Sequence, residues 1–294
     1  MKNSIIAAAC LIFSAVQPAS AKDEPLRLAP SSKWRLDYAE DSCKLMRYFG
    51  TDKNEVTFVL ERFGPTDSFW LWLAGKPLYM SKERRVTLQF GPSEPEQQAA
   101  FYRAQADGKP SIVFVNALAL APLSQEQKEW VSATGGTQLA KPIGEEREKT
   151  VTELFIAKEG RNLILELGSM GDPFKAMRAC TDDLLSTWGF DKAKHQGLSR
   201  LPQPITPPSK WLRSSDYPRM QLEFRERAIV HVRLDVDDKG EPTGCHIQGA
   251  IGGDDFKTAV CNGIMRRARF QPALDESGTP TAWYYRNDVR FIID

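Results

Sequence analysis

Histidine is scarce in this chain of 294 residues: there are three, His195, His231 and His246. The sequence also holds no P-loop, no Gly-x-Ser-x-Gly elbow, no His-Glu-x-x-His helix and no Cys-x-x-Cys pair, so the common phosphate, acyl-transfer, zinc-protease and redox signatures are missing. The "LGSMGD" stretch at Leu167–Asp172 has the wrong spacing for a serine elbow and reads as a glycine-broken turn between strand and helix. No catalytic residue, metal ligand set or cofactor is expected from these absences. An excess of one charge is missing as well. Lys+Arg number 39 and Asp+Glu 38, spread along the chain for a net charge of +1, which excludes the basic footprint of a nucleic-acid binder. The longest apolar run, Ile5–Val16, falls short of the about 20 residues needed to cross a bilayer.

That run has another use. Lys2 precedes it and Ala19-Ser20-Ala21 follows, the charged start, apolar middle and small-residue site of a secretory signal. Residues 1–21 are therefore expected to be a signal peptide and the mature chain to be exported, with no membrane span after cleavage. A lipid box at Cys10 fits loosely, because cutting there leaves an apolar segment outside the usual length. Of five cysteines, Cys10 would leave with the signal, and Cys43, Cys180, Cys245 and Cys261 would remain. An even number in an oxidising compartment suggests bridges. Three pairings are possible, and order along the chain favours Cys43–Cys180 and Cys245–Cys261.

The expected class is α+β. Residues 28–195 read as a strand-rich domain of unknown role with a terminal helix. Short β-branched or aromatic runs such as "VTFVLERF", "SFWLWLAG", "RVTLQF", "SIVFV", "VTELFIA" and "NLILELG" are separated by turn residues. Asp172-Pro173 starts a helix with Phe174, Met177, Cys180 and Leu184 near helical spacing. In "FWLWL", Phe69, Leu71 and Leu73 share one face, and Trp70 and Trp72 the other. The second face requires a cover: its own helix, a partner, or burial within the sheet stack. Glu61 and Glu166 are the carboxylates to watch for a pocket in this domain.

Pro202, Pro204, Pro207 and Pro208 mark residues 196–210 as a stiff linker. Residues 211–294 then form a small second domain. Val230, Val232, Leu234 and Val236 alternate with polar residues, Asp237–Gly240 supply a turn, and Cys245 and Ile247 continue the returning strand. A helix follows with Asp254 or Asp255 as N-cap and Phe256, Val260 and Ile264 as its stripe. The final strand alternates, with Trp283, Tyr285, Val289 and Phe291 on one face. The arginine-rich "RRARFQP" stretch, Arg266 to Pro272, sits where unpaired helix carbonyls favour cations, so it reads as a helix exit and not a nucleic-acid patch.

Tyr217-Pro218, the "VHVRLDVDDKGEPTGCHI" hairpin, "RRARFQPALDESGTP" and the aromatic last strand, taken in that order, resemble the C-terminal domain of TonB-type energy transducers, in the subgroup with one cysteine in the second strand and one in the following helix. The likeness covers residues 209–294. Arg227-Ala228 stand where the family usually has a glycine before the first strand. The resemblance implies a small sheet with helices on one face and the last strand at an edge. It also implies a partner, an outer-membrane transporter or another envelope protein, whose extended segment pairs with that edge. The partner-binding residues would be Trp283, Tyr284, Tyr285, Arg286, Asn287, Asp288, Val289 and Arg290. Of these, Tyr284, Arg286 and Asp288 would point away from the domain's core. Charges there and at Arg290 would also discourage indiscriminate strand pairing.

A transducer further needs a retained anchor and a long spacer. Here the N-terminal segment looks cleavable, and 196–210 reaches only about 30 to 45 Å as extended polyproline. The expected protein is a periplasmic binding protein that recognises its partner by strand addition, linked to TonB-dependent transport. A membrane-anchored transducer and a periplasmic enzyme using the first domain are the alternatives. A four-residue hairpin loop would place His231 opposite His246, a pair open to metal or to pH sensing.

Overall fold

Alternation of apolar and polar residues builds most of the first domain in the computed structural model, which describes residues 24–106, 108–122, 124–125 and 144–293. The expected signal, residues 1–21, lies outside them. In chain order the strands are β1 (Leu26–Leu28), β2 (Arg35–Tyr38), β3 (Cys43–Phe49), β4 (Val56–Arg62), β5 (Phe69–Ala74), β6 (Arg85–Phe90), β7 (Gln97–Ala100), β8 (Tyr102–Ala106), β9 (Lys109–Leu118), β10 (Leu154–Ala157) and β11 (Leu163–Leu165). They form a six-stranded sheet, β2-β3-β4-β5-β9-β8, and a five-stranded sheet, β1-β11-β10-β6-β7. Helices α1 (Glu145–Thr150), α2 (Gly171–Thr187) and α3 (Lys192–Gln196) accompany them.

One core joins the layers. Leu45, Leu60, Leu71 and Phe114 of the larger sheet pack with Leu88, Leu154 and Leu165 of the smaller one and with Phe174, Met177 and Leu184 of α2. Each such side chain contributes about 1.5 to 3 kcal/mol by leaving water. Cys43 on β3 is bonded to Cys180 on that buried stripe of α2. Pro173 stands in the first turn of α2, where its missing N–H costs no helical bond.

The proline-rich segment does not hang between domains. β12 (Gln203–Pro204) pairs with β15 (Phe270–Gln271), the Ile205 N–H donates to the Arg269 carbonyl, and the Trp211 indole donates to the Thr206 carbonyl. Proline is tolerated in such a two-stranded edge because its carbonyl still accepts and its missing N–H need face no partner.

The second domain contains α4 (Arg219–Glu223), β13 (Ala228–Val236), β14 (Pro242–Ile251), α5 (Asp254–Arg267), the short strands β16 (Ala273–Leu274) and β17 (Pro280–Thr281), and β18 (Trp283–Phe291). Its sheet runs β14-β13-β18, all antiparallel. Val230, Val232, Leu234, Tyr285 and Phe291 pack against Phe256, Val260 and Ile264 of α5, and Cys245 is bonded to Cys261. Gly253, not Asp254 or Asp255, takes the N-cap position, and the two aspartates fall in the first turn of α5. There they still face the positive end of the helix. Ahead of β13, two residues before Arg227, the chain makes a left-handed turn at Arg225, with φ of 54°. Gly240, with φ of 84°, has no substitute: a Cβ there would lie 1.8 Å from the Phe270 carbonyl oxygen.

Two expectations change here. The hairpin has bulges between His231 and Val232 and between Asp235 and Val236, so Val236 pairs with Pro242, His231 with Gly249 and His246 with Arg233. An inserted residue shifts every later pairing, and the two histidines do not face each other. Trp283 leaves the face of Tyr285 and joins a separate cluster with Leu185, Ala273 and Tyr284.

The uncovered face of "FWLWL" finds its cover in the second domain. Phe63, Trp70 and Val113 of the first domain pack with Ile229 of β13, and the Trp70 and Phe63 rings lie 5.6 Å and 4.4 Å from the His231 ring. The outer face of the β14-β13-β18 sheet is thus buried on the first domain.

Candidate functional site

Strand β18 takes part in three different contacts. Tyr285, Val289 and Phe291 turn into the second domain's own core. Tyr284, Arg286 and Asp288 point away from that core, as alternation requires, but not into solvent. The Tyr284 ring packs on Trp188 and Phe190 at 5.4 Å and 5.5 Å. Arg286 donates from Nη1 to the Phe63 carbonyl at 2.9 Å and from Nη2 to Thr66 Oγ1 at 3.3 Å. Asp288 accepts from or donates to His231 Nδ1 according to tautomer and protonation. Arg286 and Asp288 therefore do not serve as solvent-facing edge charges; of the three charges expected in that role, only Arg290 is exposed.

Burial marks these groups electrostatically. It pulls the Arg286 and Arg233 guanidiniums below the ordinary arginine range and pushes the Tyr284 hydroxyl above the ordinary tyrosine range. Arg233 lies over the Trp188 ring at 4.2 Å and reaches Asp41 at 3.3 Å. Gln248 donates to the carbonyl of Asp41 at 3.2 Å. The polar residues of the sheet's outer face thus find partners in the first domain's backbone and rings.

The third contact is main-chain, the antiparallel pairing of β18 with β13 along its inner edge. Among the described residues no strand pairs along the outer edge of β18. Beside that edge lies a cleft of about 400 Å³, with Asn287 to Ile292 on one side and Leu212, Arg213, Ser214 and Tyr217 on the other. The opposing wall is the start of the second domain, and it is pinned from beneath. Arg267 near the end of α5 donates to both carboxylate oxygens of Asp216, at 2.7 Å and 3.0 Å, and to the Trp211 carbonyl at 2.7 Å. Asp216 also accepts from the Arg213 N–H at 2.8 Å. The Arg267 hydrogen bonds hold the Asp216 carboxyl below the usual carboxylate range. The Tyr217 ring packs edge-on against Phe291 at 5.2 Å, and its hydroxyl donates to the Glu226 carbonyl. The arginine-rich stretch is a helix exit, as expected, and one of its arginines also builds the cleft wall.

The expected partner-binding set is therefore divided. Asn287, Asp288, Val289 and Arg290 line the cleft; Trp283, Tyr284, Tyr285 and Arg286 lie buried in cores and the interdomain contact. The wall residues were missed because Pro208–Tyr217 has no strand or helix period, only the "PPSKW" and Tyr-Pro words.

Two other constellations hold no comparable space. Ser68, His231, Asp288 and Arg286 border one cavity of about 10 Å³, room for about one water and no substrate. Glu61 accepts from Ser42 at 2.6 Å and faces Lys44, whereas Glu166 faces Arg27, so these carboxylates do not converge. His246 is engaged separately by Asp235 at 2.7 Å. No cluster with metal-holding composition occurs among the described residues, and no described helix is long and apolar enough to cross a membrane.

No curated protein and no solved structure matches the chain. A last strand at the sheet edge, in a hairpin-helix-strand domain, is the arrangement the resemblance implied, and residues 213–293 match the model of the Gram-negative bacterial TonB protein C-terminal, so this segment is a domain of that family.

Proposed function

We propose that the chain is a periplasmic binding protein whose second domain takes an extended segment of an envelope partner, an outer-membrane transporter, onto the outer edge of β18. The observation that carries this reading is the cleft between Asn287–Ile292 and the Arg267-pinned wall at Leu212–Tyr217. A strand laid there would hydrogen-bond to the main chain of β18, and its alternate side chains would meet Tyr217 and Leu212 on one side. The family match supports an envelope role linked to transport. The first domain occupies the other face of the sheet, which leaves the edge as the recognition element.

The test is capture of detergent-extracted outer-membrane transporters by the immobilised full chain. Ser214→Trp, which fills the cleft, abolishes capture if the reading is right, while Thr258→Trp on the exposed face of α5 leaves it unchanged. Equal capture by both variants would refute the reading.

A further inference from the structure

We infer that the loop joining β4 to β5 in the first domain is a clamp that positions the outer edge of β18 for its partner, with Arg286 as the positioning residue. This rests on the strand-addition reading above and assigns the first domain a part in it.

An edge strand is bonded on one side only, so its outer half is prone to local opening. In β18 that tendency is opposed from both faces. Tyr285 and Val289 fix it to the second domain's core. On the opposite face, the Phe63–Thr66 stretch holds the two residues that flank the start of the cleft. The Phe63 carbonyl and Thr66 hydroxyl accept from Arg286, and the Phe63 ring stacks at 4.4 Å on His231, which holds Asp288. The loop is shaped for this approach. Gly64 has φ of 142°, and a Cβ there would lie 3.3 Å from Arg286 Nη1 and 3.4 Å from the Trp188 ring. Main-chain geometry and lack of a side chain both favour glycine at that spot.

The consequence for binding is pre-organisation. A partner strand that meets an already ordered edge loses less affinity to ordering its receptor. Lysine at 286 keeps the charge but lacks the planar fork that reaches carbonyl and hydroxyl together.

The experiment is amide hydrogen exchange on the full chain, wild type and Arg286→Lys, with Gly64→Val as an independent second variant, combined with transporter capture. The clamp predicts roughly tenfold faster exchange of the protected amides among Asn287–Phe291 in both variants. Val230, Val232 and Val260 should exchange as in wild type, and capture should weaken in parallel. Unchanged exchange at Asn287–Phe291 overturns the inference. So does a uniform rise that includes Val230 and Val260, since Arg286 would then be a general stabiliser. If wild type shows no capture, the strand-addition reading fails, while the local exchange pattern still decides whether the loop orders the edge.

Discussion

Arg267 grips Asp216 with both ends of its guanidinium, at 2.7 Å and 3.0 Å, and this pair ties the last turn of α5 to the wall of the cleft beside β18. Charge-assisted, two-pronged contacts of this kind are among the stronger hydrogen bonds in proteins. Arg267→Ala would remove both guanidinium bonds to Asp216, which keeps the Arg213 N–H and Arg266, and would take the side-chain donor from the Trp211 carbonyl. The expected cost is about 2 to 3 kcal/mol, measured by urea unfolding, with partner capture falling as the wall loosens.

The same pair sets a pH response. The Asp216 carboxyl is held below its unfolded value by Arg267, so its contribution to stability is fully present above the ordinary aspartate range. That contribution is lost as pH falls through the depressed folded value, from about pH 4 downward. In Asp216→Asn this part of the acid sensitivity should disappear. Urea midpoints of the two proteins, well apart at pH 7, should draw together as the acid is titrated.

The interdomain contact has a direct probe in Trp70, which packs on Phe63 at 5.0 Å and faces His231 across the domain boundary. Trp70→Ala should destabilise by about 3 to 5 kcal/mol, the range for a large buried aromatic. Because the lost contact is shared, exchange protection should fall in β13 as well as β5. Protection lost in the first domain alone would contradict the packing of the sheet's outer face on that domain.

The two disulfides differ in the chain they close. Cys43 and Cys180 are separated by 137 positions, and Cys245 and Cys261 by 16. In the chain-entropy model, removing the first by double serine substitution costs about 5 kcal/mol and removing the second about 3. Thermal unfolding under non-reducing conditions should rank the variants in that order.

Most of the strands were legible because alternation reports which side chains seek their own core. Val230 to Val236 and Phe69 to Leu73 show it, and the stripe through Phe174, Met177 and Cys180 does the same for α2. Both bridges followed from chain order and faces. Alternation does not report a second burial of polar residues. Arg286 and Asp288 read as pointing away from their own core, yet Arg286 donates to the first domain's Phe63 carbonyl, Asp288 pairs with His231, and the Phe63 and Trp70 rings enclose that histidine. The bulges after His231 and Asp235 have no signature in residue type, so the histidine pairing could not be read. The cleft wall was hidden for another reason: Pro208–Tyr217 is held by single contacts, Arg267 to Asp216 above all, and carries no period.

The central claim is that a partner's extended segment lies along the outer edge of β18. Photocrosslinking in intact cells, with benzoylphenylalanine at Ser214 and, as control, at Thr258, tests it most directly. With a partner strand on that edge, Ser214 alone links to the N-terminal segment of an outer-membrane transporter, mapped by mass spectrometry to one short extended stretch. Crosslinks from Ser214 that join only residues of this same chain, or equal transporter labelling from Thr258, would contradict it.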